Sequence, residues 1–402
     1  MTRSGERRAL WIDPWDILDG GIDDIVARAA DEWGLTALSL AASYHSAKFL
    51  LPKRRTEKVF LSGGSAVYFR PDDAAYTDTT LRPVVTPRTD LLDVLDRTAE
   101  ACRKRGIALR AWTVGLHNSR LGEAHPEAAE ENVFGDRYPW ALCPANRDVR
   151  RYLVGLVRDL ATNHDLDAID LESVGYHGLS HGHHHELIGI TFGPVEEFLM
   201  GLCFCPACLA RAGDAGMAGE ALRSRVRALL EGRFRDEAMM PPPEPTDASG
   251  IASLLATWPE LAGFVRMRLD TVTALVEEIA SEALAGGGTT LALTASTFQR
   301  GVDNAWLEGM DLHALGRAAD EIVLLGYFHD PAKVAADVRT GLELVGDPQR
   351  LVLGLSLLAP ATSSGANLVA KVEAARALGT TKFSFYNYGF VSDTRLGWLG
   401  AL

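Results

Sequence analysis

The sequence predicts an α/β protein, a single (β/α)8 TIM barrel with insertions after strands two and four. Eight short apolar runs occur along the 402 residues, and most are followed by a segment with helical spacing. Continuous apolar runs are what a parallel sheet covered on both faces requires. Strand then helix, repeated with no strand left over, is the barrel pattern. We therefore expect residues 1–402 to form one barrel domain.

The strands and helices follow from the local pattern in chain order. The predicted strands are ALWID (9–13), LTALSLAAS (35–43), IALRAWTVG (107–115), LDAIDLES (166–173), TLALTAS (290–296), EIVLLGY (321–327), LVLGLSLL (351–358) and KFSFYNYG (382–389). The predicted helices are 24–33, 90–106, 148–164, 264–284, 331–345 and 367–379, each with apolar residues at helical spacing. An open doubly wound sheet is the alternative, and a nucleotide-binding one would need a glycine-rich phosphate turn that ALWIDPWDILDGG lacks.

Two stretches exceed ordinary loops, and both leave from the carboxyl ends of strands, the active face of a barrel. Residues 46–87 contain VFLSGGSAVYFRPD, which predicts a hairpin with a Gly-Gly turn. Residues 174–263 contain a histidine run, a cysteine cluster, a helix near 219–236 and the proline-rich break PPPEP.

Composition and charge restrict the partners. The formal net charge is −13 and the pI is near 5.3, so a nucleic acid or an anionic membrane would be repelled at long range. The first residues carry no apolar signal core, and no run is long enough to span a bilayer. We therefore expect a cytoplasmic protein with neither nucleic acid nor membrane as partner; the oligomeric state stays open.

Side chains at the carboxyl ends of barrel strands converge on one mouth, so the residues there form the candidate site. Aromatic rings beside hydrogen-bonding groups suit sugars, whose C–H faces stack while their hydroxyls need partners. We therefore expect a small-molecule or oligosaccharide substrate. The candidate substrate-binding residues are Trp11, Tyr44, His45, Trp112, His117, Tyr176, His177, Tyr327, Asp330 and Asn387.

Two carboxylates near the end of strand four are the leading catalytic candidates. Asp170 and Glu172 alternate with apolar residues, and the period of two places both on the interior side of the barrel. Close carboxylates repel, so one should stay protonated near neutral pH; we assign Glu172 as this general acid. The alternative is a salt bridge from one of them to Arg110. The carboxylates near the mouth that could supply the base or nucleophile are Asp13, Asp170 and Asp330.

Three of the five cysteines, Cys203, Cys205 and Cys208, lie within CFCPAC. A disulfide framework is not expected in a cytosolic chain, whereas the spacing is that of a zinc knuckle, which needs a fourth ligand. The candidates for that ligand are Cys143, Cys102 and a histidine of HGHHHE (181–186), and Cys102 is the poorest because it falls in mid-helix. The sequence thus predicts a structural zinc site, and it gives no sign of an organic cofactor.

A cysteine turn opens the third helix, an acid ends strand four, and the motif C-x-C-x-x-C follows soon afterwards. This combination, over roughly residues 107–210, resembles the beta-galactosidases of glycoside hydrolase family 42. The resemblance implies a zinc ion on Cys143, Cys203, Cys205 and Cys208, with Glu172 as acid/base. The sequence departs from the family in having Leu171 before that acid. It also has LGLSLLAP where strand seven should supply a nucleophilic Glu. The retaining double-displacement mechanism therefore does not transfer.

The leading hypothesis is a glycoside hydrolase-like enzyme that acts on a carbohydrate, with Glu172 as general acid. One alternative is a carbohydrate-binding barrel without hydrolysis, which the missing strand-seven acid favours. Another is a metal-dependent hydrolase or isomerase with His177, His181 and His183–His185 as ligands.

Overall fold

Eight parallel strands form one closed barrel, as the sequence predicts. The computed structural model describes residues 5–54, 58–179, 193–235, 249–295 and 301–402. The barrel strands are β1 (Arg7–Ile12), β2 (Ala37–Tyr44), β3 (Ala108–Val114), β4 (Ala168–Glu172), β5 (Thr290–Thr294), β6 (Glu321–Leu325), β7 (Leu351–Ser356) and β8 (Lys382–Tyr386). Each strand pairs in parallel with its neighbours in chain order, and β1 closes the barrel by pairing with both β2 and β8.

Apolar side chains fill most of the strand positions because both faces of the sheet are covered. All eight residues of β2 and all six of β7 are buried. The interior also contains a buried ion pair network, in which Arg110 Nη2 on β3 lies 2.6 Å from Asp170 Oδ1 and 2.9 Å from Glu321 Oε2. Opposite charges at these distances compensate one another where water is excluded.

Helices cover the barrel and build the insertions. They are α1 (Pro14–Gly20), α2 (Ile22–Asp31), α3 (Val94–Arg105), α4 (Ser119–Ala124), α5 (Arg147–Asn163), α6 (Pro194–Met200), α7 (Pro206–Asp214), α8 (Gly219–Arg235), α9 (Ser249–Thr257), α10 (Pro259–Ala285), α11 (Leu312–Ala318), α12 (Pro331–Val345), α13 (Gly365–Arg376) and α14 (Asp393–Gly397). Among the helices described, none combines the length and apolar character needed to cross a membrane.

The insertion after β2 contains a hairpin, but not the predicted one. Val59–Leu61 pairs with Lys48–Leu50, whereas Ala66–Val67 pairs antiparallel with Ser43 and Tyr44 of β2. The Gly63–Gly64 turn, with φ of +75° and +100°, thus separates two different sheets and does not join one hairpin. The reason is tertiary: the Phe60 ring stacks on the Trp15 ring of α1 at 4.5 Å between centroids, which holds the Val59–Leu61 strand against α1.

Two further insertions surround the third and fourth strands. The segment between β3 and α5 contains α4 and an antiparallel hairpin of Ala129–Glu131 and Arg137–Leu142, which the sequence pattern did not reveal. The insertion after β4 contains α6 to α9, and α10 begins at Pro259, earlier than the predicted start at residue 264. Residues 180–192, and therefore the whole histidine run HGHHHE (181–186), lie outside the described residues, as does the proline-rich break PPPEP (241–245).

Candidate functional site at the barrel mouth

The carboxyl ends of the strands bring a cluster of aromatic rings together at one mouth. Tyr44, the last residue of β2, places its hydroxyl oxygen 3.5 Å from that of Tyr386, the last residue of β8. The Trp112 ring on β3 lies 4.8 Å from the Tyr44 ring and 5.9 Å from the Tyr386 ring, between centroids. The rings of Trp11 and Tyr327 lie 6.0 and 5.9 Å from the same Tyr386 ring. Residues from four strands and one strand-end loop thus form a continuous aromatic surface.

Glu172, the last residue of β4, faces this surface. Trp112 Nε1 donates a hydrogen bond to Glu172 Oε2 at 2.8 Å. Burial raises the pKa of Glu172 above its usual range, and the Trp112 hydrogen bond offsets part of that increase. Burial also raises the pKa of Tyr44, Tyr327 and Tyr386, and the nearby charge of Glu172 adds to each increase. A carboxyl of raised pKa retains its proton to higher pH, which is the direction a general acid requires.

Asp170 lies one step deeper and belongs to the barrel interior. Arg110 donates from Nε and Nη2 to Asp170 Oδ1 at 2.8 and 2.6 Å, and Ser39 Oγ donates to Asp170 Oδ2 at 2.5 Å. This is the salt bridge that the sequence offered as the alternative. The expectation that Asp170 raises the pKa of Glu172 is wrong, because Arg110 compensates the charge of Asp170. Burial, not a neighbouring carboxylate, raises the pKa of Glu172.

Asp13 follows β1 and is completely buried at the mouth. Asn387 Nδ2 donates to Asp13 Oδ2 at 3.2 Å, and Asn387 Oδ1 accepts the backbone N–H of Gly389 at 2.7 Å. Burial, reinforced by the charge of Asp16, raises the pKa of Asp13 well above its usual range, while the Asn387 hydrogen bond lowers it. Asp13 and Asn387 therefore lie at the same end of the barrel as Glu172, as the strand order predicts.

A column of stacked rings extends from Tyr44 across the ends of β2, β3 and β4. The ring of His45 stacks on Tyr44 at 4.3 Å, and His117 stacks on His45 at 4.4 Å with an interplanar angle of 18°. His177 follows at 5.5 Å from His117. Burial lowers the pKa of His45, which keeps that imidazole neutral. The predicted binding residues His45, His117 and His177 are thus contiguous with the aromatic surface.

Two predicted binding residues point elsewhere. The hydroxyl of Tyr176 lies 3.6 Å from Cys208 Sγ, and its ring lies 4.4 Å beneath the guanidinium of Arg268, so it packs against the cysteines. Asp330 is exposed, and its carboxylate accepts the backbone N–H of Ala332 at 2.9 Å, which caps α12. An Asp before Pro at a helix start is a capping pattern, and that local role keeps Asp330 away from the mouth.

The four predicted zinc ligands form one buried cluster. The Sγ atoms of Cys143, Cys203, Cys205 and Cys208 all lie within 4.8 Å of one another. Cys143 Sγ is 3.5 Å from Cys205 and Cys208 and 3.8 Å from Cys203. Four thiolates bound to one zinc ion at about 2.3 Å lie roughly 3.8 Å apart in a tetrahedron. The spacing and the all-sulfur donor set therefore fit a structural zinc ion.

Two buried acids near the mouth were missed by the sequence reasoning. Asp16 lies one helical turn after Asp13, and the spacing in DPWD was the available signal. Glu130 is on the unpredicted hairpin, so no sequence signal placed it. Its carboxylate accepts the backbone N–H groups of His177 at 2.7 Å and Gly178 at 3.3 Å, and burial raises its pKa to about 7. Glu130 thereby anchors the loop that follows Glu172.

The chain is similar to solved (β/α)8 structures at low sequence identity. The glycoside hydrolase domain of PgaB (BpsB) from Bordetella bronchiseptica is 15% identical, with 96% of this chain and 94% of that chain covered and a TM-score of 0.60. The catalytic domain of a beta-amylase from Paenibacillus polymyxa is 10% identical, with 99% and 98% covered and a TM-score of 0.57. A Group IV chitinase from Ostrinia furnacalis, in complex with allosamidin, is 9% identical, with 98% of both chains covered and a TM-score of 0.51. No protein-family model and no curated protein sequence matches the chain. At these identities the likeness establishes the barrel fold.

Proposed function

We propose that this protein is a glycoside hydrolase that acts on an oligosaccharide, with Glu172 as the general acid. The observation that carries the proposal is the partly buried Glu172 carboxyl at the strand ends, hydrogen-bonded by Trp112 and close to aromatic rings. The barrel is also shared with structures named as a glycoside hydrolase domain, a beta-amylase and a chitinase. A beta-galactosidase of glycoside hydrolase family 42 is one enzyme that would fit this proposal. The cysteine cluster is the feature that favours it.

The geometry supports the acid step of glycoside cleavage. The aromatic surface offers flat apolar faces to a sugar ring, and the hydroxyls of Tyr44, Tyr327 and Tyr386 stay protonated because burial raises their pKa. Neutral phenols of this kind donate hydrogen bonds to substrate oxygens. A protonated Glu172 would transfer its proton to the leaving oxygen as the glycosidic bond breaks.

The experiment is Glu172→Gln, which keeps the shape of the side chain and removes the proton. On an unactivated glycoside we expect turnover to fall by a factor on the order of 10²–10⁴, the usual value of a positioned acid. An aryl glycoside with a leaving group of low pKa should lose much less, because that group departs without a proton. Glu343→Gln, the same substitution at an exposed site on α12, is the control.

Equal turnover of wild type and Glu172→Gln on every unactivated glycoside of a broad panel would contradict the acid role. Retained binding of an oligosaccharide without turnover in either protein would favour a carbohydrate-binding barrel. The end of β7 supports that second candidate, since the chain there continues as Leu357 and Leu358 with no carboxyl.

We further propose that Cys143, Cys203, Cys205 and Cys208 hold a structural zinc ion. Four thiolate ligands leave no position for a water, so the ion would stabilise the fold and take no part in the reaction. It would join the end of the hairpin that carries Cys143 to α7 in the insertion after β4.

Metal analysis of the purified protein tests the zinc site. We expect one zinc per chain in wild type and in Cys102→Ala, since Cys102 is a buried cysteine on α3 outside the cluster. Cys208→Ser should lose the metal. Wild-type protein expressed with ample zinc and purified without metal would show the proposal to be wrong.

A further inference from the structure

A hairpin lies beside the carboxyl end of β3. Its antiparallel strands are Ala129–Glu131 and Arg137–Leu142, and we call it the 129–142 hairpin. The second strand also bonds the chain that leaves β3, because Asn118 N donates to Trp140 O at 3.0 Å. The hairpin is therefore built into the end of the barrel, where its side chains can reach the chain that leaves β4.

Glu130, on the first strand of the 129–142 hairpin, binds that neighbouring chain. It is only 1% exposed. Its Oε1 accepts the backbone N–H of His177 at 2.7 Å, and its Oε2 accepts the backbone N–H of Gly178 at 3.3 Å. Trp140, on the second strand, donates from Nε1 to Gly178 O at 3.2 Å. The hairpin thus supplies partners for three backbone groups that follow β4 and that would be costly to bury without them.

The segment held in this way, residues 173–178, begins directly after Glu172. Ser173 is buried and has a φ of +62°, the left-handed region that is unfavourable for any residue with a Cβ. Backbone hydrogen bonds from Leu116 N to Ser173 O and from Tyr176 N to Glu308 O hold the first part of the segment. The hairpin holds its end. A strained backbone of this kind persists only where the surrounding contacts fix it.

The strain at Ser173 bears directly on the acid, because Glu172 and Ser173 share one peptide group. If Ser173 leaves the left-handed region, the peptide that follows Glu172 rotates with it. Trp112 Nε1 lies 2.8 Å from Glu172 Oε2, and a hydrogen bond tolerates little displacement from such a distance. A shift of about 1 Å in a reacting group can cost roughly 10²-fold in rate. The anchor at residues 177 and 178 therefore affects the acid earlier in the chain.

We propose that Glu130 is a positioning residue for Glu172. By binding the amides of His177 and Gly178, it keeps residues 173–178 in their strained conformation and thereby holds the Glu172 carboxyl at Trp112 Nε1. The consequence for proton transfer to a leaving oxygen rests on the proposed function, whereas the structural coupling does not. Glu130 itself transfers no proton to substrate, since both of its oxygens are bound to backbone amides.

Protein labelled with 15N-tryptophan tests the coupling without any substrate. The Trp112 indole N–H resonance, assigned by its loss in Trp112→Phe, reports the hydrogen bond to Glu172, and Glu172→Ala gives its position without that acceptor. In Glu130→Gln an amide nitrogen replaces one acceptor oxygen, so we expect the Trp112 resonance to move towards its position in Glu172→Ala. Glu131→Gln is the matched control, because the Glu131 carboxylate pairs with Arg223 at 3.0 Å. It should leave the resonance unchanged.

Trp140→Phe provides a second route should Glu130→Gln fail to fold. Phenylalanine keeps a ring beside Tyr138, on which the Trp140 ring stacks at 5.1 Å between centroids. It removes the hydrogen bond to Gly178 O, and we expect a smaller shift of the Trp112 resonance in the same direction. A Trp112 resonance at its wild-type position in every folded variant of this pair would overturn the proposal.

Kinetics distinguish positioning of the acid from a general loss of structure once a substrate is known. On an unactivated glycoside, Glu130→Gln should lower kcat by about 10-fold to 10²-fold with KM within about twofold. An aryl glycoside with a leaving group of low pKa should be spared, because it departs without a proton. In the Glu172→Gln background the same substitution should cost nothing further, since residues that act as a unit are not additive.

Equal losses on both glycosides, or additive losses in the double variant, would overturn the role of Glu130 through the acid. Equal turnover of wild type and Glu172→Gln would instead refute the proposed function. The Trp112 resonance would still decide whether Glu130 positions Glu172, so the two failures remain distinguishable.

Discussion

Replacement of Trp112 by Phe tests the link between the aromatic surface and the acid. The indole Nε1 donates to Glu172 Oε2 at 2.8 Å, while the ring itself packs against Tyr44 and Tyr386. Phenylalanine keeps an aromatic ring in this cluster and removes the donor. The substitution therefore alters the stability of the ionised carboxylate more than the packing around it.

The size of the effect follows from the hydrogen bond. A hydrogen bond to a charged group contributes about 1.5–3 kcal/mol, and one pH unit corresponds to about 1.4 kcal/mol. The bond favours ionised Glu172, so its loss should raise the pKa of Glu172 by about one to two units. A general acid is active only while protonated, and the basic limb of the kcat/KM profile should therefore move upward by the same amount.

The assay is the pH dependence of kcat/KM on an unactivated glycoside, supported by infrared titration of Glu172 in wild type and Trp112→Phe. Trp15→Phe is the matched control, because the Trp15 indole packs on Phe60 and its Nε1 has no hydrogen-bond partner among the described residues. Its basic limb should coincide with that of wild type. A basic limb of Trp112→Phe that stays in place or moves to lower pH would refute the reasoning.

Two further outcomes concern stability. Burial would raise the pKa of Glu321, but the Arg7 hydrogen bond and the charges of Arg110 and Arg7 outweigh it and lower that pKa to about 2. This stabilisation is present above the unfolded pKa of about 4.5 and is lost as the pH falls towards 2. Glu321→Gln should thus lower the free energy of unfolding by about 3 kcal/mol at neutral pH. The difference from wild type should shrink below pH 4.5 in denaturant titrations; an unchanged difference would contradict the network. Removal of the proposed zinc ion with a chelator should lower the melting temperatures of wild type and Cys102→Ala to that of Cys208→Ser. Equal melting curves of wild type with and without chelator would exclude a stabilising metal.

Part of the candidate site could be predicted from the sequence, because in a parallel barrel the order of the strands along the chain fixes which residues lie at the mouth. Any residue at the carboxyl end of a parallel strand reaches the same mouth, which is why Asp13, Glu172 and Asn387 could be grouped before their contacts were known. Tyr176 and Asp330 follow strands by a few residues more, and there local contacts decide the direction. Tyr176 turns to the cysteines, and Asp330 caps a helix.

The sequence by itself determined the eight strands, their parallel order and the grouping of Cys203, Cys205 and Cys208, while the resemblance to family 42 implied Cys143 as the fourth ligand. Apolar runs and ligand spacing are local signals, and here the tertiary structure preserved both. Only the tertiary structure decided which acids are paired. Asp170 and Glu172 look equivalent in the period-two pattern, yet Arg110 from the neighbouring strand β3 compensates the first, while within the described residues the second accepts the indole N–H of Trp112 and pairs with no cation. The charges of Lys53 and Arg54, from the insertion after β2, likewise oppose the increase in the pKa of Asp16 that burial causes. Charge compensation depends on which side chains approach within a few ångströms across strands and insertions, and no one-dimensional pattern specifies that approach.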